Sequence, residues 1–258
     1  MQRVAWSLAI GTALAAGCDL PPSAPMDGPR VVGTTPALDQ GLIDRDGVLR
    51  VELDRRIAPS SLADGVVEVT SGGNYIWLVQ QIDVVHPAII VRADGLFDPD
   101  ITYSLRVHVL HDLDGHASTV TPWMHFHTSS SIAGTTAPRV TFADVAPVLS
   151  NCAGCHAGAT APLGLDLSTG AAVRATAVEV PAREEQPTVS GYLDTEVTAA
   201  LTGMARIAPR EPARSYLMYV VLGDSHIAGA SMPLNAPPLA MEDIELLQRW
   251  IAAGAPTD

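Results

Sequence analysis

Cys152, Cys155 and His156 stand in the order Cys152-Ala153-Gly154-Cys155-His156, in a chain that has only three cysteines. On a helix, side chains three and four positions apart share a face. This spacing therefore presents two thiols and one imidazole to the same planar object. Two thiols that add to vinyl groups, beside an imidazole that binds iron, are what covalent c-type haem attachment requires. Two other chemistries compete for the same residues. A redox dithiol is disfavoured because the motif lacks the preceding strand of a βαβ unit, and a zinc knuckle because there is no second cysteine pair. The spacing predicts one covalent haem c, attached through Cys152 and Cys155 with His156 on the iron.

A sixth iron ligand must come from Met204, Met218, Met232, Met241 or His226. Met218 lies in the apolar run from Ser215 to Leu222 and Met241 opens the last helix, so both read as packing residues. Met232 precedes Pro233, which denies regular helix and can present the thioether on a rigid loop. It is the expected second axial ligand. His226 is the rival, and it would lower the potential relative to methionine. Its setting, Gly223-Asp224-Ser225-His226, reads as a polar surface loop.

The helix that carries the motif starts at Thr141-Phe142-Ala143-Asp144, a capping-box pattern with Asp in place of Glu or Gln. The closing segment places Ile244, Leu247, Trp250 and Ile251 on one helical stripe, and Gly254 then Pro256 stop it. Before the motif, six β-branched or aromatic runs alternate with turn signals: 48–53, 66–70, 75–82, 88–92, 102–110 and 123–128. With an opening strand near Arg30, this is the pattern of an Ig-like sandwich. His108, His111, His116, His125 and His127 lie close in sequence there. His125 and His127 share a strand face and could chelate a metal with His108, but exposed strand faces accept histidine equally well. Asp112-Leu113-Asp114-Gly115 lacks the later ligands of a calcium loop and reads as a turn.

The N-terminus has one charge at Arg3, an apolar run from Val4 to Ala16 and then Gly17-Cys18, the layout of an export signal. The run is too short to span a bilayer as a helix. Leu14-Ala15-Ala16-Gly17-Cys18 resembles the lipobox of bacterial lipoproteins, which implies cleavage before Cys18 and lipidation of its sulfur. Four prolines between Asp19 and Pro29 suit an extended tether. The expected organisation is a signal peptide at 1–17, a tether at 18–29, an Ig-like β-sandwich at 30–130, a linker at 131–138 and a haem domain at 139–258.

The 258 residues are 47% hydrophobic and 17% charged, with a formal net charge of -13. All 15 Lys+Arg residues are Arg and no basic run exists, which argues against nucleic-acid binding through phosphates. A basic protein partner suits this charge.

The middle third resembles bacterial Ig-like domains through "VVGTTPALDQG", "ITYSLRVHVLHDLDGHA" and "MHFHTS". From Thr141 onward, "TFADVAPVLSNCAGCH", "LGLDLST", "PARSYLMYVVLG" and "MPLNAPPLAMEDIELLQRWIAAGAP" resemble class I cytochrome c domains, more closely the planctomycete type. That resemblance implies His156 and Met232 as axial ligands and an all-α fold. Ala240 departs from the family's usual capping Ser or Thr, and 178–186 is a charged insert. The expected fold class is multidomain, an all-β Ig-like sandwich followed by an all-α cytochrome c domain. The expected function is that of a lipid-anchored electron carrier outside the cytoplasm, in the periplasm or on the cell surface. It would exchange electrons with redox partner proteins and meet the membrane through its anchor alone. The alternative is an adhesion or scaffold protein whose Ig-like domain binds a partner and whose haem is structural. Enzymatic activity is not expected: the second axial position is filled, and neither G-x-S-x-G nor H-E-x-x-H occurs.

Overall fold

In the computed structural model, residues 27–38, 42–62, 65–134, 138–182 and 201–258 are described. The signal peptide, Cys18, the tether up to residue 26, part of the linker and the end of the charged insert lie outside them. Among the described residues, no helix is long and apolar enough to cross a membrane.

Period-two burial builds the first half. Strand β3 (Leu49–Leu53) buries Leu49, Val51 and Leu53 and turns Arg50 and Glu52 outward, as a strand with one covered face must. It pairs antiparallel with β1 (Val31–Thr35) and β7 (Ala88–Ala93), and β7 pairs with β6 (Leu78–Asp83). The second sheet runs in the order β2 (Leu42–Ile43), β9 (Met124–Thr128), β8 (Thr102–Val107), β4 (Val67–Ser71) and β5 (Asn74–Tyr75). Inward side chains of both sheets belong to one hydrophobic cluster. Phe97, Tyr103 and Phe126 are wedged together there, with ring centroids 5.1 to 5.5 Å apart. The run 75–82, expected as a single strand, is divided. Ile76 still donates to Val69 in the second sheet, whereas Trp77 accepts from Asp94 beside the first, so the chain changes sheets between them.

After Thr141, the helices are α1 (Phe142–Ala153), α2 (Gly170–Thr176), α3 (Tyr216–Val221) and α4 (Met241–Ala252). The expected all-β sandwich followed by an all-α cytochrome c domain is therefore corrected. The described chain is mostly β-sheet, its four helices span only 12, 7, 6 and 12 residues, and the latter half contains the bridges Val178–Ile207, Pro181–Ala205 and Ala205–Ser215. Proline and glycine explain the shortness. Helix α3 is preceded by the tight turn Pro212–Arg214 and followed by Gly223 at φ +63°, a left-handed conformation that ends a helix. Helix α4 does bury the four residues of its stripe, and Gly254 adopts φ +102° just beyond it. Gly170 at the start of α2 is required for a different reason: a Cβ there would lie 2.1 Å from the Thr257 carbonyl oxygen.

The two halves are docked directly. Gln248 of α4 accepts from the N–H groups of Val84 (3.0 Å) and Val85 (3.2 Å) and donates to Asp83 (2.9 Å). Burial alone would raise the Asp83 pKa, but Arg50, the His86 amide and Gln248 hold it below the ordinary carboxylate value. Replacing Gln248 by alanine strands the buried Val84 amide, since Val85 keeps Asp83 as an acceptor. The expected loss is about 1 to 3 kcal/mol, measured by urea unfolding. An unchanged midpoint would show that this contact does not hold the halves together.

Candidate functional site

Helix α1 buries Val145, Val148 and Leu149, and the same face continues one turn later to Cys152 and then to His156. The Asp144 carboxylate takes both the N–H and the hydroxyl of Thr141 at 2.7 Å, fixing the start of the helix. Those two bonds hold Asp144 below the ordinary carboxylate range. At the other end, the Cys152 carbonyl accepts from Cys155 N–H (3.1 Å) and His156 N–H (2.9 Å). The motif is thus one continued helical turn. Cys152 is half-buried, Cys155 is exposed, and both thiols are free.

Burial pushes the Cys152 thiol pKa up. A reactive dithiol needs the opposite shift, because only the thiolate attacks. The His156 Nδ1 is buried and finds no hydrogen-bond partner among the described residues. Two free thiols and an imidazole not committed to protein groups suit a covalently bound haem with iron on the histidine.

The loop that follows closes back on the motif. The His156 carbonyl accepts from Leu167 at 2.8 Å, and the Asp166 carboxylate takes Gly158 N–H (2.9 Å), Ser168 N–H (3.0 Å) and the Ser168 hydroxyl (2.6 Å). The Ser168 bonds, with Gly158 behind them, lower the Asp166 pKa. Buried Arg206 donates to Thr176 (2.9 Å) and Leu163 (2.8 Å) carbonyls and so braces the same loop from the far side. Neither role was read from the sequence. The Asp-x-Ser spacing of an Asx turn was the available signal for Asp166, whereas nothing local marks Arg206.

Met232 lies on another element, the loop after α3. Its N–H donates to the Val220 carbonyl of α3 (3.1 Å), and the loop leans on Gly223, whose Cβ position lies 3.6 Å from Ser231 Cβ. Met232 is half-buried. The structure brings Cys152, Cys155 and His156 together on one turn. Met232 sits apart from that turn, on the loop after α3, and α1 and α3 both pack on α4. Of the other candidates, Met204 and Met218 are buried, while Met241 is exposed and not the packing residue expected.

His226 is partly exposed, and neither of its ring nitrogens is free for iron. Its side chain is 18% exposed, with Nδ1 2.6 Å from Asp224 and Nε2 3.1 Å from Asp114. The histidines of the first half do not converge either. His125 and His127 face Ser104 (3.0 Å) and Thr102 (2.9 Å), whereas His108 is paired with Glu68 (2.8 Å). Asp112, Asp114 and His116 do lie close together. Asp112 accepts from the amides of Asp114 (3.0 Å) and His116 (2.8 Å) and pairs with Arg55 (3.4 Å), so the cluster is a carboxylate-closed turn.

No family model and no curated protein matches the chain. Among solved structures it is similar to the S-layer protein rSbsC(31-844), at 14% identity and TM-score 0.32, over 41% of this chain and 14% of that one. It is also similar to PcoC, a methionine-rich copper resistance protein from Escherichia coli, at 9% identity and TM-score 0.33, over 40% of this chain and 99% of that one. A third is the N-terminal part of SbsC, at 13% identity and TM-score 0.33, over 44% of this chain and 28% of that one. The chain spans less than a third of either S-layer structure. Neither S-layer nor copper-resistance proteins are cytochromes, and likeness at these scores carries no functional argument.

Proposed function

We propose that this protein is a mono-haem c-type electron carrier held outside the cytoplasm by a lipid on Cys18. The observation that carries the reading is the Cys152-Ala153-Gly154-Cys155-His156 turn, with two free thiols and a buried His156 Nδ1 without a partner among the described residues. The proposal does not depend on an all-α domain, because the attachment chemistry resides in this one turn. Cys152 and Cys155 would hold the haem, each thiol adding across a vinyl double bond so that sulfur gains the C–S bond and the hydrogen goes to the neighbouring carbon. His156 and Met232 would hold the haem iron between them, which would leave no place for a substrate and favours electron transfer over catalysis. Bound haem c supplies a reversible one-electron couple between ferric and ferrous iron. Docked on the sandwich through Gln248, the site has a fixed platform. The net charge of -13 favours a basic redox partner, with association fastest at low salt.

Visible spectra of the full chain, produced with haem-maturation machinery, test the ligand pair. The ferric protein is expected to show a low-spin spectrum with the weak red methionine-to-iron band. Met232→Ala and Met232→His should both abolish that band, and Met232→His should also lower the potential. Spectra identical in all three proteins would remove Met232 from the iron.

A further inference from the structure

A cleft of about 500 Å³ separates the turn after β8 from the loop after α3, and charged side chains make up more than half of its lining. From the first half, Asp54, Arg55, Arg56, Asp112 and Asp114 face it, and from the second, Asp224 and His226. His116 stands behind Asp112, 3.1 Å from its carboxylate. Arg56 crosses to Asp224 at 3.0 Å, and the Asp224 side chain is only 4% exposed. His226 crosses the other way, from the Asp224 loop to Asp114.

We propose that His226 is a pH-operated latch between the two halves, closed when its imidazolium donates to Asp224 and Asp114 together and released on the Asp114 side when the ring is neutral. The geometry requires the charge. Both ring nitrogens face carboxylate oxygens, which only accept, whereas a neutral imidazole has a single N–H to give. The surroundings tolerate the charge as well. Four carboxylates (Asp54, Asp112, Asp114 and Asp224) face two guanidiniums, so an added cation relieves negative charge.

Desolvation of the ring opposes protonation, but the hydrogen bonds and charges of Asp224 and Asp114 outweigh it, and the pKa rises above its ordinary 6.5. A raised folded-state pKa gives stability that is complete below the unfolded value and is lost as pH rises through the folded value. The latch is therefore shut below the ordinary imidazole value and loosens as pH rises through the raised one. The loop it holds runs on to Met232, but the latch itself needs no haem.

The test is an NMR titration of the histidine ring resonances in the full chain from about pH 5 to about pH 9, with amide exchange of the 223–228 loop followed over the same range. The His226 midpoint is expected above 6.5. Protection of the loop amides, corrected for intrinsic exchange, should fall as pH rises through that midpoint, by about tenfold if the midpoint lies one pH unit above the ordinary imidazole value. His226→Gln and Asp114→Asn should each remove the pH dependence. A midpoint at or below 6.5, or a pH dependence that survives in His226→Gln, would overturn the latch. If a variant does not fold, the wild-type midpoint alone decides.

Discussion

Changing Cys152 and Cys155 together to serine is expected to leave a protein with no haem that survives denaturation. Serine hydroxyls are close to thiols in size but do not add to vinyl groups, so both C–S bonds are lost. Each single variant retains one bond and should hold haem through a single thioether, with an altered haemochrome spectrum. Little of this loss is expected to come from misfolding. Cys155 is exposed and Cys152 half-buried, so a sulfur-to-oxygen exchange removes little packing. The double variant should keep the far-ultraviolet circular dichroism of a haem-free wild-type preparation. If it retained covalent haem, attachment at this motif would be contradicted.

The largest expected effect on stability is at Trp250. Its side chain is fully buried, its indole N–H donates to the Pro256 carbonyl at 2.8 Å, and Phe142 of α1 meets it edge-on at 6.5 Å. Trp250→Ala opens a cavity between α1 and α4 and frees the C-terminal tail, with Thr257 against Gly170. Substitutions of this kind cost about 3 to 5 kcal/mol, a large share of the roughly 5 to 15 kcal/mol that holds a domain folded. Urea unfolding should show the midpoint falling accordingly. Trp250→Phe keeps most of the volume and loses the hydrogen bond, so it should cost about 1 kcal/mol. A loss below about 1 kcal/mol in the alanine variant would mean that α4 does not support α1 as described.

Periodicity revealed the strands and the α4 stripe because both signals are local. Leu49, Val51 and Leu53 alternate with polar residues, and Ile244, Leu247, Trp250 and Ile251 recur at helical spacing. The same signal did not show where the run 75–82 changes sheets, since strand pairing depends on partners far along the chain. It also overstated the helical half. Short apolar runs such as 216–222 fit a long helix until Pro212 and Gly223 confine α3 to six residues. The Cys152–His156 turn stood out in the sequence because the chemistry proposed for it requires a fixed spacing. The docking of the halves was not, because Gln248 and Val84, 164 positions apart, carry no local sign of each other. His226 shows the same limit. Its sequence setting is that of a polar loop, and only the fold brings Asp114 to it.

Acid-acetone extraction of the full-length protein, purified from cells with haem-maturation machinery, tests the central claim most directly. One haem per chain should stay with the polypeptide, with a pyridine haemochrome characteristic of two thioether bonds. Haem that leaves with the solvent, or a haem-free chain from cells that mature a control cytochrome, would contradict the account.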